Sequence, residues 1–320
     1  MRSDGSGPTL GDLGEFGVIE RLTRGRAVSG DVVIGPGDDG AVLAAGDGRV
    51  VVSTDMLVEG RHFRRDWSTP HDIGRKAVAQ NAADIEAMGA RVTGFVVGFG
   101  APPNTPAAQV NALADGMWAE AATVGAGIVG GDLVGSPHWV VSVTVLGDLG
   151  GRAPVLRSGA RPGAQLAVTG HLGSSAAGFA LWDNNIDGFD ELRQRHLVPC
   201  PPYGQGRTAA EAGALAMIDI SDGLVGDLGH VADASGVSID LNTDALSADR
   251  AALASAAEAV GTDPWQWVFG GGEDHALVAA FAGAIPAGWR PIGRVVDGSP
   301  GVLVDGEPWR GVAGWQSFAQ

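Results

Sequence analysis

Acidic residues recur beside small or polar residues at five places in the sequence. The runs are Gly35-Pro36-Gly37-Asp38-Asp39, Ser53-Thr54-Asp55, Asn81-Ala82-Ala83-Asp84, Gly130-Gly131-Asp132 and Asp219-Ile220-Ser221-Asp222-Gly223. Hard oxygen ligands of this kind suit Mg²⁺, which binds few carboxylates and keeps waters and substrate phosphates in its shell. Glycine lets the main chain approach a phosphate closely and leaves N–H groups exposed to it. The pattern therefore indicates Mg²⁺-assisted chemistry on a phosphate compound.

Each run taken alone has a simpler interpretation. Asp-Gly and Gly-Asp pairs are usually turns, and an aspartate before a helix is usually an N-cap. Asp222 precedes the predicted helix Leu224–Ala234 and is an N-cap candidate in its own right. Asp84 differs, because it lies inside a predicted helix, where a buried carboxylate needs a partner or a metal. This position favours a functional role for Asp84.

The elements that position these residues alternate between helices and strands. Apolar spacing predicts helices at Leu13–Arg24, Asp72–Met88, Ala107–Val124, Ser174–Trp182, Gly206–Ala216 and Leu224–Ala234. Apolar runs predict strands at Val50–Thr54, Phe95–Phe99, Trp139–Leu146, Gln165–Thr169, Met217–Ile220, Ser238–Leu241, His275–Phe281 and Pro291–Val296. The pattern restarts near Gly150, so we expect an α/β or α+β protein with two domains, residues 1–150 and 151–320.

Composition excludes several classes of protein. The formal net charge is -16 and no basic stripe is present, which argues against nucleic-acid binding. Clustered carboxylates that hold divalent cations would reconcile this acidity with anionic substrates. The single cysteine, Cys200, excludes an intramolecular disulfide and a structural cysteine zinc site. The N-terminus has no apolar signal core and the apolar strings are too short to span a bilayer, so we expect a soluble, cytoplasmic protein.

The order and spacing of eight short runs closely resemble the thiamine-monophosphate kinase family. The runs are Gly14-Glu15-Phe16, Gly37-Asp38-Asp39, Ser53 to Phe63, Asn81 to Gly89, Gly130-Gly131-Asp132, Arg157-Ser158-Gly159-Ala160, Asp219 to Leu224, and Gly271-Gly272-Glu273-Asp274. They extend over nearly the whole chain, from about Gly11 to Phe318. A single run is a weak signal, whereas eight in order are highly specific.

The resemblance implies ATP-dependent phosphorylation of thiamine monophosphate to thiamine diphosphate, with several Mg²⁺ ions. It implies the two-domain fold of aminoimidazole ribonucleotide synthetase, in which the N-terminal domain dimerises through its sheet and ATP lies in a cleft between domains. The implied Mg²⁺ ligands, some through water, are Asp39, Ser53, Thr54, Asp55, Asp84, Asp132, Asp219 and Asp222. The implied nucleotide contacts are Gly131, Asp132, Arg157 and Ser221, and the implied contacts to the thiamine end are His62, Glu273 and Trp315.

The sequence departs from the family pattern at two places. His275 follows the Glu273-Asp274 pair, where the family often has a tyrosine. The segment Ala121–Val124 lacks the tyrosines that several family members carry before the Gly-Gly-Asp run, so no aromatic residue is available there to stack on adenine. The acceptor would be a phosphate oxygen that is already ionised, so no general base is expected.

Two alternatives remain open at the level of sequence. The first is another ATP-dependent enzyme of the same superfamily, such as aminoimidazole ribonucleotide synthetase. Selenophosphate synthetase and the hydrogenase-maturation dehydratase are disfavoured, because they use a cysteine or selenocysteine near one terminus and Cys200 is internal. The second alternative is a non-catalytic protein that binds divalent cations, which would not need Arg157, His62 and Trp315 in addition to carboxylates.

Overall fold

The chain folds into two compact units. The computed structural model describes residues 7–26, 29–35 and 40–315, with the main chain alone at 15 and 16. The first unit comprises Met1–Ala82 and Val92–Gly150, and the second comprises Ala83–Arg91 and Gly151–Gln320. In the described part of the chain, no helix is long and apolar enough to cross a membrane.

The first unit contains a four-stranded sheet and a separate two-stranded sheet. Its elements are α1 (Leu10–Thr23), β1 (Val32–Ile34), β2 (Val42–Leu43), β3 (Val51–Val58), α2 (Pro70–Ala87, whose last turn belongs to the second unit), β4 (Arg91–Ala101), α3 (Ala107–Thr123), β5 (Ile128–Gly135) and β6 (Val140–Asp148). The strand order of the larger sheet is β3-β6-β4-β5. β3 and β6 are antiparallel, and β4 and β5 are parallel.

The four-stranded sheet has one buried face and one open face. Successive side chains of a strand point to opposite faces. Along β6 the side chains of Val141, Val143 and Val145 are fully buried, and the residues between them are only partly buried. We call the face that carries these valines the inner face. The outer face carries Thr144 and its directly paired neighbour Thr54.

Glycine allows α2 and α3 to cross at very short range. A Cβ atom at Gly74 would lie 2.0 Å from the Leu113 carbonyl oxygen, and one at Gly116 would lie 2.0 Å from the His71 carbonyl oxygen. Any other residue at either position would push the helices apart, because these are main-chain atoms of the neighbouring helix. The crossing fixes the position of α2, which carries the predicted metal ligand Asp84.

The second unit is built on a seven-stranded sheet of order β13-β12-β9-β11-β7-β10-β8. Its elements are β7 (Gln165–Thr169), α4 (Ser174–Asp183), α5 (Asp190–Leu197), α6 (Gln205–Glu211), β8 (Ala216–Asp219), α7 (Leu224–Ser235), β9 (Ser238–Leu241), α8 (Ser247–Val260), α9 (Pro264–Gly270), β10 (Leu277–Phe281), β11 (Arg290–Val296), β12 (Gly301–Val304) and β13 (Glu307–Pro308). β10 is buried along its whole length. The edge strand β8 is buried as well, and it ends at Asp219.

The structure corrects several predicted elements. β3 continues to Val58 rather than ending at Thr54, so Asp55 lies inside a strand. Asp132 also lies inside a strand, because β5 contains the glycine pair that obscured its apolar pattern in the sequence. The predicted helix Gly206–Ala216 ends five residues early, at Glu211. Helices α5, α8 and α9 were not predicted, and in α5 the reason is a largely charged sequence without a clear apolar stripe.

Candidate functional site

Ser53 and Asp55 share the inner face of β3, and both are partly exposed. They point the same way because they are two residues apart on one strand. The Asp55 N–H donates to Asn81 Oδ1 at 3.1 Å, and Asn81 Nδ2 donates to the Ala77 carbonyl at 2.8 Å. Because Asn81 is fully buried, its amide is a fixed link between α2 and β3. This anchoring role of Asn81 was not assigned from sequence.

Thr54 and Asp132 lie on the outer face instead. Thr144 Oγ1 donates to Thr54 Oγ1 at 3.1 Å. Asp132 is paired with Gly98, and a Cβ atom at Gly98 would lie 3.8 Å from the Cβ of Ser142, two residues before Thr144 on β6. Paired residues point to the same face, so Asp132 joins Thr54 on the outer side. The adjacent residues Thr54 and Asp55 therefore face opposite sides of the sheet.

Thr54 and Asp132 do not form one local cluster within the chain. Their strands are the two edges of the four-stranded sheet, so three strand spacings, or about 14 Å, separate them. Asp132 is exposed, and its Oδ1 accepts the N–H of Leu133 at 2.9 Å. A Cβ atom at Gly131 would lie 2.1 Å from the Val97 carbonyl oxygen, so only glycine fits there.

His62 lies in a tight turn that follows β3. Its Nδ1 accepts the N–H of Val58 at 3.1 Å, and its own N–H donates to the Val58 carbonyl at 3.0 Å. Because Nδ1 accepts a hydrogen bond, the proton of the neutral ring is on Nε2. The half-buried ring can therefore present Nε2 as a hydrogen-bond donor.

For the predicted residues Asp39 and Arg157, the described part of the structure gives no contact with a functional partner. Asp39 lies outside the described residues. Arg157 is exposed and its guanidinium forms no ion pair with a described residue, while its carbonyl accepts the hydroxyl of Ser235 at 2.9 Å. The same hydroxyl accepts the N–H groups of Gly159 and Ala160 at 3.1 and 3.2 Å, so the main chain around Arg157 is held and its side chain is available.

A single buried carboxylate organises the Asp219–Gly223 loop between β8 and α7. Asp227 Oδ2 accepts the N–H groups of Ser221, Asp222 and Gly223, each at 3.0 Å. Burial raises the pKa of Asp227 to about 7; the N–H of Gly223 opposes this shift, and the charge of Asp219 adds to it. Asp227 was missed in the sequence, although an aspartate in the first turn of a helix is a recognised signal.

Asp222, the N-cap candidate of the simpler interpretation, does not cap α7. Gly223 occupies the N-cap position, and no side chain caps the helix there. The loop N–H groups go to Asp227, so the half-exposed Asp222 carboxylate makes no hydrogen bond with a described residue. Burial raises the pKa of Asp222, with His230 opposing the shift and Asp219 adding to it. Its carboxylate is therefore available for a ligand.

Asp219 is paired with a buried histidine. His275 Nδ1 lies 3.1 Å from Asp219 Oδ2, and both residues are nearly inaccessible to solvent. Burial lowers the pKa of His275, but the hydrogen bond and charge of Asp219, together with Glu273 and Asp84, outweigh it, so that the pKa is raised. Asp84, which is half-buried in α2, is thus one of the carboxylates whose charge acts on the His275 ring.

Glu273 and Trp315 are both attached to the main chain of the Asp219–Gly223 loop. The Glu273 N–H donates to the Ser221 carbonyl at 2.7 Å, and the Trp315 N–H donates to the Asp222 carbonyl at 2.9 Å. The Trp315 side chain is 60% exposed. Two residues that are 42 positions apart in sequence, as their numbers 273 and 315 show, therefore flank neighbouring carboxylates.

The backbone is strained on both sides of Asp274. Glu273 has φ 64° and His275 has φ 52°, values that non-glycine residues rarely adopt. Such strain persists only where surrounding contacts enforce it, and it is concentrated at functional sites. Asp274 supplies one such contact, because its carboxylate accepts the N–H groups of Gly173 and, at 2.8 Å, Ser175 at the start of α4.

No preformed metal cluster is present among residues 7–26, 29–35 and 40–315: no three His, Cys, Asp or Glu side chains there are close enough to hold an ion. A groove of about 600 Å³ beside α8 and the start of α9 contains none of the predicted site residues. The candidate residues of the first unit lie mainly on the two faces of its four-stranded sheet, and those of the second unit lie mainly around the Asp219–Gly223 loop.

The chain is similar in sequence and in fold to known proteins of one family. A family model described as AIR synthase related protein, N-terminal domain, matches residues 37–149. The chain is 69% identical over 313 residues to thiamine-monophosphate kinase of Mycobacterium tuberculosis, covering 98% of this chain and 94% of that protein.

Two solved structures are similar as well. Thiamine-monophosphate kinase from Stenotrophomonas maltophilia K279a aligns with TM-score 0.77 and 31% identity, over 91% of this chain and 95% of that one. The structure of AaThiL complexed with AMPPCP and TMP aligns with TM-score 0.75 and 30% identity, over 98% and 99% of the two chains.

Proposed function

The chain belongs to the thiamine-monophosphate kinase family and transfers a phosphoryl group from ATP to thiamine monophosphate, and we propose that the transfer is direct and assisted by Mg²⁺. The observation that carries this proposal is the Asp219–Gly223 loop. Its main chain holds Glu273 and Trp315 beside two acidic side chains, Asp219 and Asp222. The acidic side chains of such a loop can bind an organic cation directly and a phosphate group through Mg²⁺.

Direct transfer requires positioning and charge neutralisation more than covalent chemistry. The attacking atom is a phosphate oxygen of the acceptor, which is ionised at neutral pH. No side chain has to remove a proton from it, so we assign no general base. The task of the protein is to bring two anionic phosphates together and to hold them in line.

The donor set fits Mg²⁺. All the proposed ligands are oxygen donors, and Mg²⁺ needs only one or two carboxylates when waters and phosphates complete its shell. When bound, Mg²⁺ would neutralise the negative charge of the two phosphates as they approach each other. In the first unit the proposed Mg²⁺ ligands are Ser53 and Asp55 on the inner face and Asp132 on the outer face. Thr54 and Asp39 are further proposed ligands. In the second unit the proposed ligands are Asp84, Asp219 and Asp222.

The nucleotide contacts we propose combine a close main-chain approach with a cationic clamp. Gly131 is exposed and contributes only its main chain, and the exposed Asp132 follows it directly. The exposed guanidinium of Arg157 can bind a phosphate through two parallel hydrogen bonds. The Ser221 hydroxyl, on the loop held by Asp227, completes the set.

The acceptor contacts we propose match the chemistry of thiamine monophosphate. Glu273 can accept a hydrogen bond from the exocyclic amine and favours the thiazolium charge. Trp315 offers an exposed ring face for stacking or for a cation–π contact. His62 can donate from Nε2, because Val58 occupies its Nδ1.

We also propose a homodimer formed through the outer face, working in the cytoplasm where ATP is present. This face exposes apolar side chains on its edge strands, with Val52 62% and Val134 57% exposed. Exposed apolar side chains on an open sheet face are a feature of protein–protein interfaces. Two-fold symmetry is the commonest arrangement for such assemblies.

The direct test is an assay of purified protein with ATP, thiamine monophosphate and Mg²⁺, in which thiamine diphosphate is quantified by chromatography. We expect product only when all three are present, and none after chelation. Asp222→Asn should abolish most of the activity, whereas Asp233→Asn, at an exposed site on the same helix α7, should not. Full activity in the presence of a chelator would refute the role of Mg²⁺.

A further inference from the structure

A buried histidine contacts the carboxylate of Glu273. His196 Nδ1 lies 3.3 Å from Glu273 Oε2 and 3.2 Å from Ser175 Oγ. A carboxylate can only accept hydrogen bonds, so the form of the ring that stabilises this contact has its hydrogen on Nδ1, directed at Glu273, with Ser175 Oγ also within hydrogen-bond distance. His196 is 7% exposed, whereas the Glu273 side chain is 32% exposed. The buried ring therefore restrains a carboxylate that remains accessible to a ligand.

This Ser–His–Glu group is not a nucleophilic relay. In such a relay the two ring nitrogens have different partners, one the nucleophile and the other the acid. Here Ser175 and Glu273 both contact Nδ1, so the ring cannot take a proton from the serine while the acid holds its other nitrogen. The geometry is that of a support for Glu273.

Helices α4 and α5 hold the imidazole in place. The Phe179 ring contacts it edge-on, with 5.4 Å between ring centroids. A Cβ atom at Gly178 would lie 2.1 Å from the Leu192 carbonyl oxygen and 3.0 Å from the His196 Cβ, so the two helices are in close contact at this point. Because Asp274 accepts the N–H of Ser175 at the start of α4, the position of His196 is tied to the residue that follows Glu273.

We propose that His196 is a positioning residue, which fixes the Glu273 carboxylate for the thiamine end of the acceptor. This inference rests on the proposed role of Glu273 in acceptor binding. A free glutamate side chain loses rotamer freedom when a ligand binds, and that loss weakens affinity. If Nδ1–H already holds one Glu273 oxygen in the folded protein, little further side-chain entropy is lost when the ligand binds.

The test compares His196→Phe, which keeps a buried ring but removes the donor, with His196→Asn, which keeps an N–H near the Nδ1 position. We expect His196→Phe to raise the KM for thiamine monophosphate roughly three- to tenfold, with little change in kcat or in the KM for ATP. The Kd for thiamine monophosphate, measured by calorimetry without ATP, should rise equally. His196→Asn should largely restore both values.

Phe179→Leu is the matched control, because it disturbs the edge contact to the same ring but leaves the hydrogen bond intact. An equal rise in KM for Phe179→Leu would show that packing, not the hydrogen bond, is responsible. Should His196→Phe fail to fold, the ring nitrogens of the labelled wild-type protein give an independent readout by nuclear magnetic resonance. A lone pair on Nδ1 in place of a hydrogen would overturn the proposal.

A double-mutant cycle with Glu273→Gln separates this inference from the proposed function. If His196 acts through Glu273, its substitution should add little in the Glu273→Gln background. If Glu273→Gln leaves the Kd for thiamine monophosphate unchanged, the proposed acceptor contact is wrong. If Glu273→Gln weakens binding but His196→Phe does not, only the role of His196 is wrong.

Discussion

Acidic residues that lie close together in the sequence have different roles in this protein. Asp274 is buried and accepts main-chain N–H groups at the start of α4, whereas Glu273 reaches a partly exposed position. Likewise, Asp227 holds a loop together and leaves Asp222 free for a ligand. The type of residue indicates what chemistry is available, and its hydrogen-bond partners decide whether that chemistry is used for folding or for a ligand.

At the residue scale, Asp55→Asn and Asp132→Asn should each lower kcat by at least about a hundredfold at saturating Mg²⁺, because each removes a negative charge proposed to hold Mg²⁺ beside the phosphates. Circular dichroism and thermal unfolding should remain close to wild type, since both side chains are partly or fully exposed. Near-normal turnover in both variants would refute the metal-ligand assignment.

Trp315→Ala should mainly raise the KM for thiamine monophosphate. A stacking or cation–π contact contributes about 0.5–2 kcal/mol, which corresponds to an increase of roughly two- to thirtyfold. The KM for ATP should change little, because the indole is assigned to ground-state binding of the acceptor alone. Steady-state kinetics with each substrate varied in turn would check this, and an equal effect on both substrates would argue against the assignment.

Elements position the site through their ends, their faces and their close crossings. Asn81 on α2 fixes the main chain of β3 at Asp55, and α2 is itself fixed by its glycine crossing with α3. In the second unit, α4 begins on the Asp274 carboxylate beside the strained residue Glu273. A substitution that disturbs the start of α4 should therefore also displace Glu273 at the proposed acceptor site.

Asp274→Ala should lower the free energy of unfolding by about 1–3 kcal/mol, because two N–H groups at the start of α4 would lose their buried acceptor. Burial raises the pKa of Asp274 to about 7, although the N–H groups of Ser175 and Gly173 favour the ionised form. Asp274→Asn removes the buried charge and keeps one acceptor, so it should be intermediate. Urea denaturation of the three proteins would measure the order, and equal stability would contradict the capping role.

At the scale of the whole molecule, two surfaces with different properties matter. The net charge of -16 makes the protein surface strongly acidic, which fits a protein that handles phosphates together with divalent cations. The outer face of the first unit, by contrast, exposes apolar side chains such as Val52 and Met56. Asp132, which we propose as a Mg²⁺ ligand, lies on this same face, so we expect the activity to depend on the proposed homodimer.

Val52→Glu should weaken the proposed homodimer by about a hundredfold or more, because it places an unpaired charge inside an apolar interface. Sedimentation velocity at micromolar concentration would reveal monomer in place of dimer, and the activity should fall with the dimer fraction. Ala254→Glu, at an exposed position on α8, should change neither property. A wild-type protein that sediments only as monomer would refute the dimer.

The sequence by itself determined the family and the reaction, because eight short runs in a fixed order are too specific to arise from turns alone. It also indicated alternating helices and strands, because those patterns are local. Only the tertiary structure decided that Thr54 and Asp55 point to opposite faces, since β3 continues beyond its predicted end. The role of Asp227 in holding the Asp219–Gly223 loop and the proposed support of Glu273 by His196 likewise depend on contacts that spacing does not reveal. The glutamate and the histidine are 77 positions apart, as their numbers 273 and 196 show, and only packing brings them together.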